Sequence, residues 1–186
     1  MIKIKINNEE FKIKNLVDEL LIGEFEMICE ILNDKVKTKM QKWSDVFIFL
    51  GVPVDAVDDF DSDAFISIIQ EFNLITVNND EIVKSFEVDG YNYVCYDEHF
   101  KITVKEMGLI ETAATKDEVK YLGEMMAIMY KRSDLTKTEH FDKAHLKFKA
   151  ELFRKNISAE IAIPFITFLS KKLVKDVELI KEENNV

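Results

Sequence analysis

Proline and glycine are scarce in this chain: its 186 residues include two Pro and five Gly. Irregular loops lean on those residues, so their shortage argues against a loop-rich architecture and makes helix the dominant expectation. No run of about 18 apolar residues occurs, which argues against a membrane-spanning helix. The amino terminus lacks the charged-then-apolar layout of a secretory signal. Two cysteines, Cys29 and Cys95, stand far apart in sequence. They are expected as buried thiols in a reducing compartment rather than as a disulfide framework. Arginine is almost absent as well: of 25 basic residues only Arg132 and Arg154 carry a guanidinium. With a net charge of −10, that shortage disfavours nucleic acid as a partner, because phosphate contact needs a positive surface and arginine forks. A genome poor in G and C, favouring Lys, Asn and Ile codons, accounts for the same bias. Catalytic vocabulary is missing too. There is no glycine-rich phosphate loop and no G-x-S-x-G elbow, so neither an enzyme nor a bound cofactor is expected.

Apolar material is plentiful, at 47% of residues with 14 phenylalanines, enough for a real core. One pattern occurs twice. IKINNEEFKIKN followed by LLIGEFEMICEIL matches SFEVDGYNYVCY followed by ITVKEMGLIET without a gap, at an offset of 82. Apolar residues coincide at Ile4/Phe86, Ile6/Val88, Phe11/Tyr93, Ile13/Cys95, Leu20/Ile102, Ile22/Val104, Phe25/Met107, Met27/Leu109 and Ile28/Ile110, turn residues at Asn7/Asp89 and Asn8/Gly90, and Glu24 falls on Glu106. Composition alone predicts about five or six coincidences over such a stretch. Leu16/Glu98 and Leu21/Thr103 are mismatches. Internal duplication and two unrelated hairpin–helix units therefore both stay open. Each copy reads as a β-hairpin followed by a helix, with Asp89-Gly90 the strongest turn signal.

The remaining periodicities are helical. The first helix is expected over Leu16–Leu32 and a second over Lys39–Gly51, stopped by Gly51 and Pro53. A third is capped by Asp61 or Ser62 and carries Phe65, Ile68, Ile69 and Phe72. Polar residues 74–82 suggest a boundary between an N-terminal half, 1–75, and a C-terminal half, 83–186, unless the two form one compact domain. Thr115 with Glu118, and Thr136 with Glu139, have the spacing of capping boxes that open helices. The first of these carries Val119, Leu122, Met125, Met126 and Met129; the second carries Phe141, His145, Phe148 and Leu152. Ser158 caps a last helix, which Pro164 kinks or opens. The fold class is thus helix-dominant α+β, with two short β-hairpins each followed by helices.

Candidate chemistry is sparse. Asp59-x-Asp61-x-Asp63 resembles the start of a calcium loop, but Ala64 stands where the turn needs glycine and Gln70 where a bidentate glutamate is needed. An acidic helix cap is the better reading. His140 and His145 are five apart, one residue beyond the spacing of paired helical metal ligands, and His99 stands beside Asp97 and Glu98. No metal site is expected from them. Glu24 and Glu106 sit among apolar neighbours, where burial would raise their pKa values; the favoured reading is a local structural role, each reaching a nearby backbone amide or the solvent edge. Met125, Met126 and Met129 are read as core rather than as an adaptable binding surface. The strand containing Ile2, Ile4 and Ile6 would have one unmated edge in a two-stranded hairpin. That edge is a candidate partner interface, unless the protein's own helices cover it.

The strand pair IKINNEEFKI followed by LLIGEFEMI, then EMMAIMYKR at 124–132 and KAELFRKNISAEIAIPFITFL at 149–169, resembles small morphogenesis proteins of tailed bacteriophages. These belong to the tail-assembly-chaperone or baseplate-assembly group. The resemblance implies a non-enzymatic protein that binds other phage structural proteins, in the host cytoplasm during assembly or in the virion, without membrane or nucleic acid. It supplies no site residues and leaves the oligomeric state open. A cytosolic bacterial adaptor or regulatory module is the alternative, and a carboxylate-based metal-dependent enzyme using Asp59–Asp63 a third.

Overall fold

A computed structural model describes residues 1–6, 9–14, 19–72, 81–95, 103–117, 121–135, 143–166 and 168, without the side chains of Ile2, Glu71 and 114–117. The hairpin β1 (Ile2–Ile6) and β2 (Glu9–Ile13) leads into α1 (Ile22–Asn33), α2 (Lys39–Phe49), α3 (Val54–Asp58) and α4 (Ser62–Glu71). β3 (Ser85–Val88) and β4 (Tyr91–Cys95) follow, then α5 (Val104–Asp117), α6 (Leu122–Met129), β5 (Tyr130–Arg132) and α7 (Lys143–Asn156). A further helix, α8, covers 159–166. The fold is helix-dominant α+β, with a β1-β2 sheet and a β3-β4-β5 sheet, both antiparallel.

The offset of 82 survives in the backbone. β2 moved by 82 is β4, and α1 and α5 begin at Ile22 and Val104. Strand register moves with it: Ile4 faces Phe11 as Phe86 faces Tyr93, and Lys5 faces Glu10 as Glu87 faces Asn92. Both helix starts are secured by a glutamate in the first turn. Glu24 accepts the Leu21 amide at 2.8 Å, and Glu106 accepts the Thr103 amide at 2.9 Å, a carboxylate on the positive end of a helix. In the second hairpin Asp89 and Gly90 have φ of 51° and 74°, the left-handed pair that a tight hairpin turn requires.

Several expectations need correction. α1 starts at Ile22, not Leu16, because the backbone at 20–22 is used elsewhere: Ala159 N–H donates to Leu20 O at 2.7 Å, and Ile22 N–H to Ile157 O at 2.9 Å. Thr115 opens no helix. It lies inside α5, and α6 begins after Tyr121. The segment 124–132, which the family resemblance makes a single helix, is helical only as far as Met129; Tyr130–Arg132 pair with β4, making a third strand. The short helix α3 was not foreseen. α8 begins five residues before Pro164, so Pro164 does not open it. Phe148, expected on the buried face of α7, is 69% exposed. That face is phased instead by Ala150 and Phe153, the latter packed edge-on against Phe86 and Tyr93 at 5.2 and 4.9 Å. The Thr136/Glu139 box, Phe141, Val119, Glu118 and the helix end beyond 168 lie outside the described residues.

Other elements form as their sequences require. Thr38 and Gln41 exchange backbone and side-chain bonds at the start of α2, and Gly51, with φ of 98°, follows its end. α2 and α4 meet through rings, with Phe47–Phe65 at 5.1 Å and Trp43–Phe72 at 5.5 Å. α6 is apolar on nearly all sides and buried accordingly; Met125, Met126 and Met129 are at most 1% exposed. The buried cluster draws on both sides of residues 74–82, from Ile4 and Phe47 to Met126 and Phe165. No described helix is long and apolar enough to cross a membrane.

Candidate functional site

Arg154, in the last turn of α7, organises the meeting of α1, α6 and α7. Its Nε donates to Glu26 Oε2 on α1 at 2.6 Å, and one Nη donates to Glu151 at 2.9 Å. The other Nη is bonded to Glu124 on α6. Glu26 also accepts the Gly123 amide, at 2.8 Å, in the first turn of α6. One carboxylate thus caps α6 and neutralises the guanidinium from α7. Burial raises the Glu26 pKa above the ordinary carboxylate value; the Arg154 and Gly123 bonds oppose the shift without cancelling it. Burial works against the Arg154 charge, but the carboxylates around it outweigh burial and keep it firmly protonated.

Two of the chain's few glycines make room for this clasp. A Cβ on Gly123 would lie 3.0 Å from Arg154 Cγ and 3.1 Å from its Nε, and one on Gly23 would lie 3.3 Å from Arg154 Cβ. Sequence reasoning missed the clasp. The available signal was a shared spelling, Ile22-Gly23-Glu24 and Leu122-Gly123-Glu124, together with an arginine in a chain that holds only two.

On the outer side of Arg154, a trough of about 770 Å³ runs between α5, α6 and α7. From α5 it is lined by Lys105, Leu109, Thr112 and Ala113, the recurrence of one helical face. α6 contributes Glu124 and Ile128, with Tyr121 just ahead of it. α7 contributes Lys143, Leu146, Lys147, Glu151 and Arg154. Lys143 and Lys147 are exposed at the edge, Leu109 and Leu146 are half-buried, and Ala113 and Ile128 form the buried floor. An apolar floor with a few polar groups at its margin is the ordinary make-up of a binding cleft.

The residues singled out by sequence are scattered rather than gathered. Asp61 caps α4, its carboxylate accepting the Asp63 and Ala64 amides at 3.1 and 3.0 Å. Among the described residues no group of three or more His, Cys, Asp or Glu is arranged to hold a metal ion. His145 lies on the exposed side of α7, and His99 and His140 lie outside the described residues. Cys95 is buried and Cys29 half-buried, and neither is in a disulfide. Glu24 is held by Lys14 at 2.6 Å. Glu106 is held by Lys131 on β5 at 2.5 Å, deep enough that its side chain is 7% exposed. Burial pushes the Glu106 pKa up, but Lys131 and the two Thr103 donors outweigh it and hold the carboxyl below its ordinary value. Ile4 and Ile6 of the candidate edge point into the core, at 1% and 5% exposure. The Ile2 side chain lies outside what the structure describes, so docking there would use the β1 backbone and the exposed Lys3 and Lys5 rather than Ile4 or Ile6; among the described residues β1 pairs with β2 and no other strand.

Comparison with family models, with characterised proteins and with solved structures finds no match to this chain.

Proposed function

We propose that this protein is a non-enzymatic assembly or structural protein of a tailed bacteriophage that acts by protein–protein contact, with the α5–α6–α7 trough as its contact site. The trough carries the contact reading: it is an apolar-floored surface cleft assembled from three helices that the Arg154 clasp ties together at one end. Apolar-floored clefts rimmed by charge serve docking, with the floor giving affinity and the rim register. The phage assignment is supported by the resemblance of the hairpin–helix opening and of 124–132 and 149–169 to phage morphogenesis proteins.

Mass spectrometry of purified virions and of tail-assembly intermediates tests the assignment, alongside the gene's neighbourhood. Finding the protein stoichiometrically in either particle, with portal, tail or baseplate genes beside its own, is the expected result. A gene set within a metabolic operon, and absence from both particles, would sink it.

A further inference from the structure

We infer that the occupant of the trough is an acidic amphipathic helix of a partner protein; this rests on the reading of the molecule as a contact-mediated one. Shape comes first. The α7 lining positions, from Lys143 to Arg154, extend along three turns, a run of about 16 Å at the helical rise. α5 flanks it with side chains that recur at i, i+4 and i+8. Two helical walls over the floor of Ala113 and Ile128 form the groove into which a third helix packs its ridge of side chains. A partner of about eleven helical residues, with apolar groups at i, i+3 or i+4, and i+7, matches that length.

Charge chooses the kind of helix. Glu124 and Glu151, the trough's two carboxylates, are both bonded to Arg154. Together with Glu26 they share one guanidinium, so the clasp end of the trough stays net acidic; the basic end is the opposite one, where Lys143 and Lys147 stand one turn apart on α7, both exposed. A basic end is unexpected in a chain of net charge −10. The overall negative charge does not decide contact, because exposed charges are screened beyond about 8 Å at physiological salt. What an incoming helix meets is an apolar floor, lysines at the Lys143 end and carboxylates at the Arg154 end, so Asp or Glu on the part of the helix that lies over Lys143 and Lys147 gives complementarity and sets orientation.

The test selects a displayed library of helix-forming peptides on the full-length protein, then measures binding of the enriched peptides by fluorescence anisotropy. The comparison protein is the double variant Lys143→Glu/Lys147→Glu, whose surface changes leave folding intact, as circular dichroism would verify. Expected are peptides with an apolar i, i+3/i+4, i+7 stripe and an excess of Asp and Glu. They should bind the double variant roughly five- to tenfold more weakly, the scale of two exposed charge pairs, and weaken with added salt. Enriched peptides without acidic excess, equal binding to the double variant, or no enrichment over an unrelated protein would each overturn the inference. So would wild-type dimerisation in sedimentation velocity that the double variant abolishes, which makes the occupant a second copy. Thermal stabilisation by citrate without peptide enrichment would instead assign the trough to a small anion. Virion composition is scored separately, so failure of the phage assignment and failure of the helix-docking inference give different results.

Discussion

Replacing Arg154 with methionine keeps much of the aliphatic stem and deletes the charge that three carboxylates share. The Arg154 and Glu26 side chains are 16% and 11% exposed, whereas Glu124 and Glu151 are 34% and 48% exposed. The latter two can turn to water. Glu26 cannot, and keeps only the Gly123 amide. Stranding one partner of a fully buried pair costs about 3–5 kcal/mol. With a single carboxylate stranded and incompletely enclosed, the low end applies, about 3 kcal/mol. For a urea m-value of about 2 kcal/mol/M, the midpoint falls by about 1.5 M. Trp43 fluorescence reports α2 and α4, and far-UV circular dichroism reports the whole chain, so both should be followed. Loss of the guanidinium also raises the Glu26 pKa further, letting the stranded carboxyl take up a proton. The penalty should therefore shrink from pH 7 to pH 5. In a Glu26→Gln background no charge is left behind, and Arg154→Met should cost about 2 kcal/mol less, the coupling of a close pair. A penalty below about 0.5 kcal/mol, or one unchanged by Glu26→Gln, would refute the clasp as a source of stability.

Gly123→Ala presses a methyl group on Arg154 Cγ and Nε and should cost about 1–3 kcal/mol in urea titrations. Gly108→Ala, where a Cβ meets nothing within 4 Å on α5, should instead stabilise by about 0.5–1 kcal/mol. Glu106 has a lowered pKa, so its contribution is present above the ordinary carboxylate range and lost as pH falls through its folded-state value. Melting curves from pH 6 to pH 3 should accordingly fall less steeply for Glu106→Gln than for wild type. Glu26, with a raised pKa, works in the opposite sense, its contribution being present at low pH and lost as pH rises through its folded value, so Glu26→Gln should steepen the acid limb. Asp61→Ala removes the cap of α4 and should cost about 1 kcal/mol by chemical denaturation.

What could be read from sequence was whatever is decided locally. The Asp89-Gly90 turn, the alternation of Phe86, Val88, Tyr93 and Cys95, the Gly51 stop and the Asp61 cap each depend on neighbours a few residues away. The offset of 82 was visible for the same reason, because a hairpin register and a first-turn glutamate are local devices. Pairing at long range was not legible. Tyr130–Arg132 follow directly on the apolar helical run that ends at Met129, and become a strand because β4 presents an open edge. α7 shows two plausible apolar faces, and the rings of Phe86 and Tyr93, some 60 residues earlier, select the one with Phe153 rather than Phe148. The Arg154–Glu26 contact joins residues 128 apart, a separation over which composition and periodicity carry no signal.

The backbone bonds from Ile22 to Ile157 and from Ala159 to Leu20 bear on how the protein is made. The first turn of α1 cannot acquire its final neighbours until the polypeptide has been extended to residue 157 or beyond. At ordinary synthesis rates that interval is roughly 7–27 s, far longer than a helix takes to form. Through it Leu20 and Ile22, each 0% exposed in the finished fold, have no native cover from the far end of the chain. Completion of the N-terminal hairpin–helix unit thus waits on the synthesis of residues 157–159, and the start of α1 is among the later parts of the fold to close.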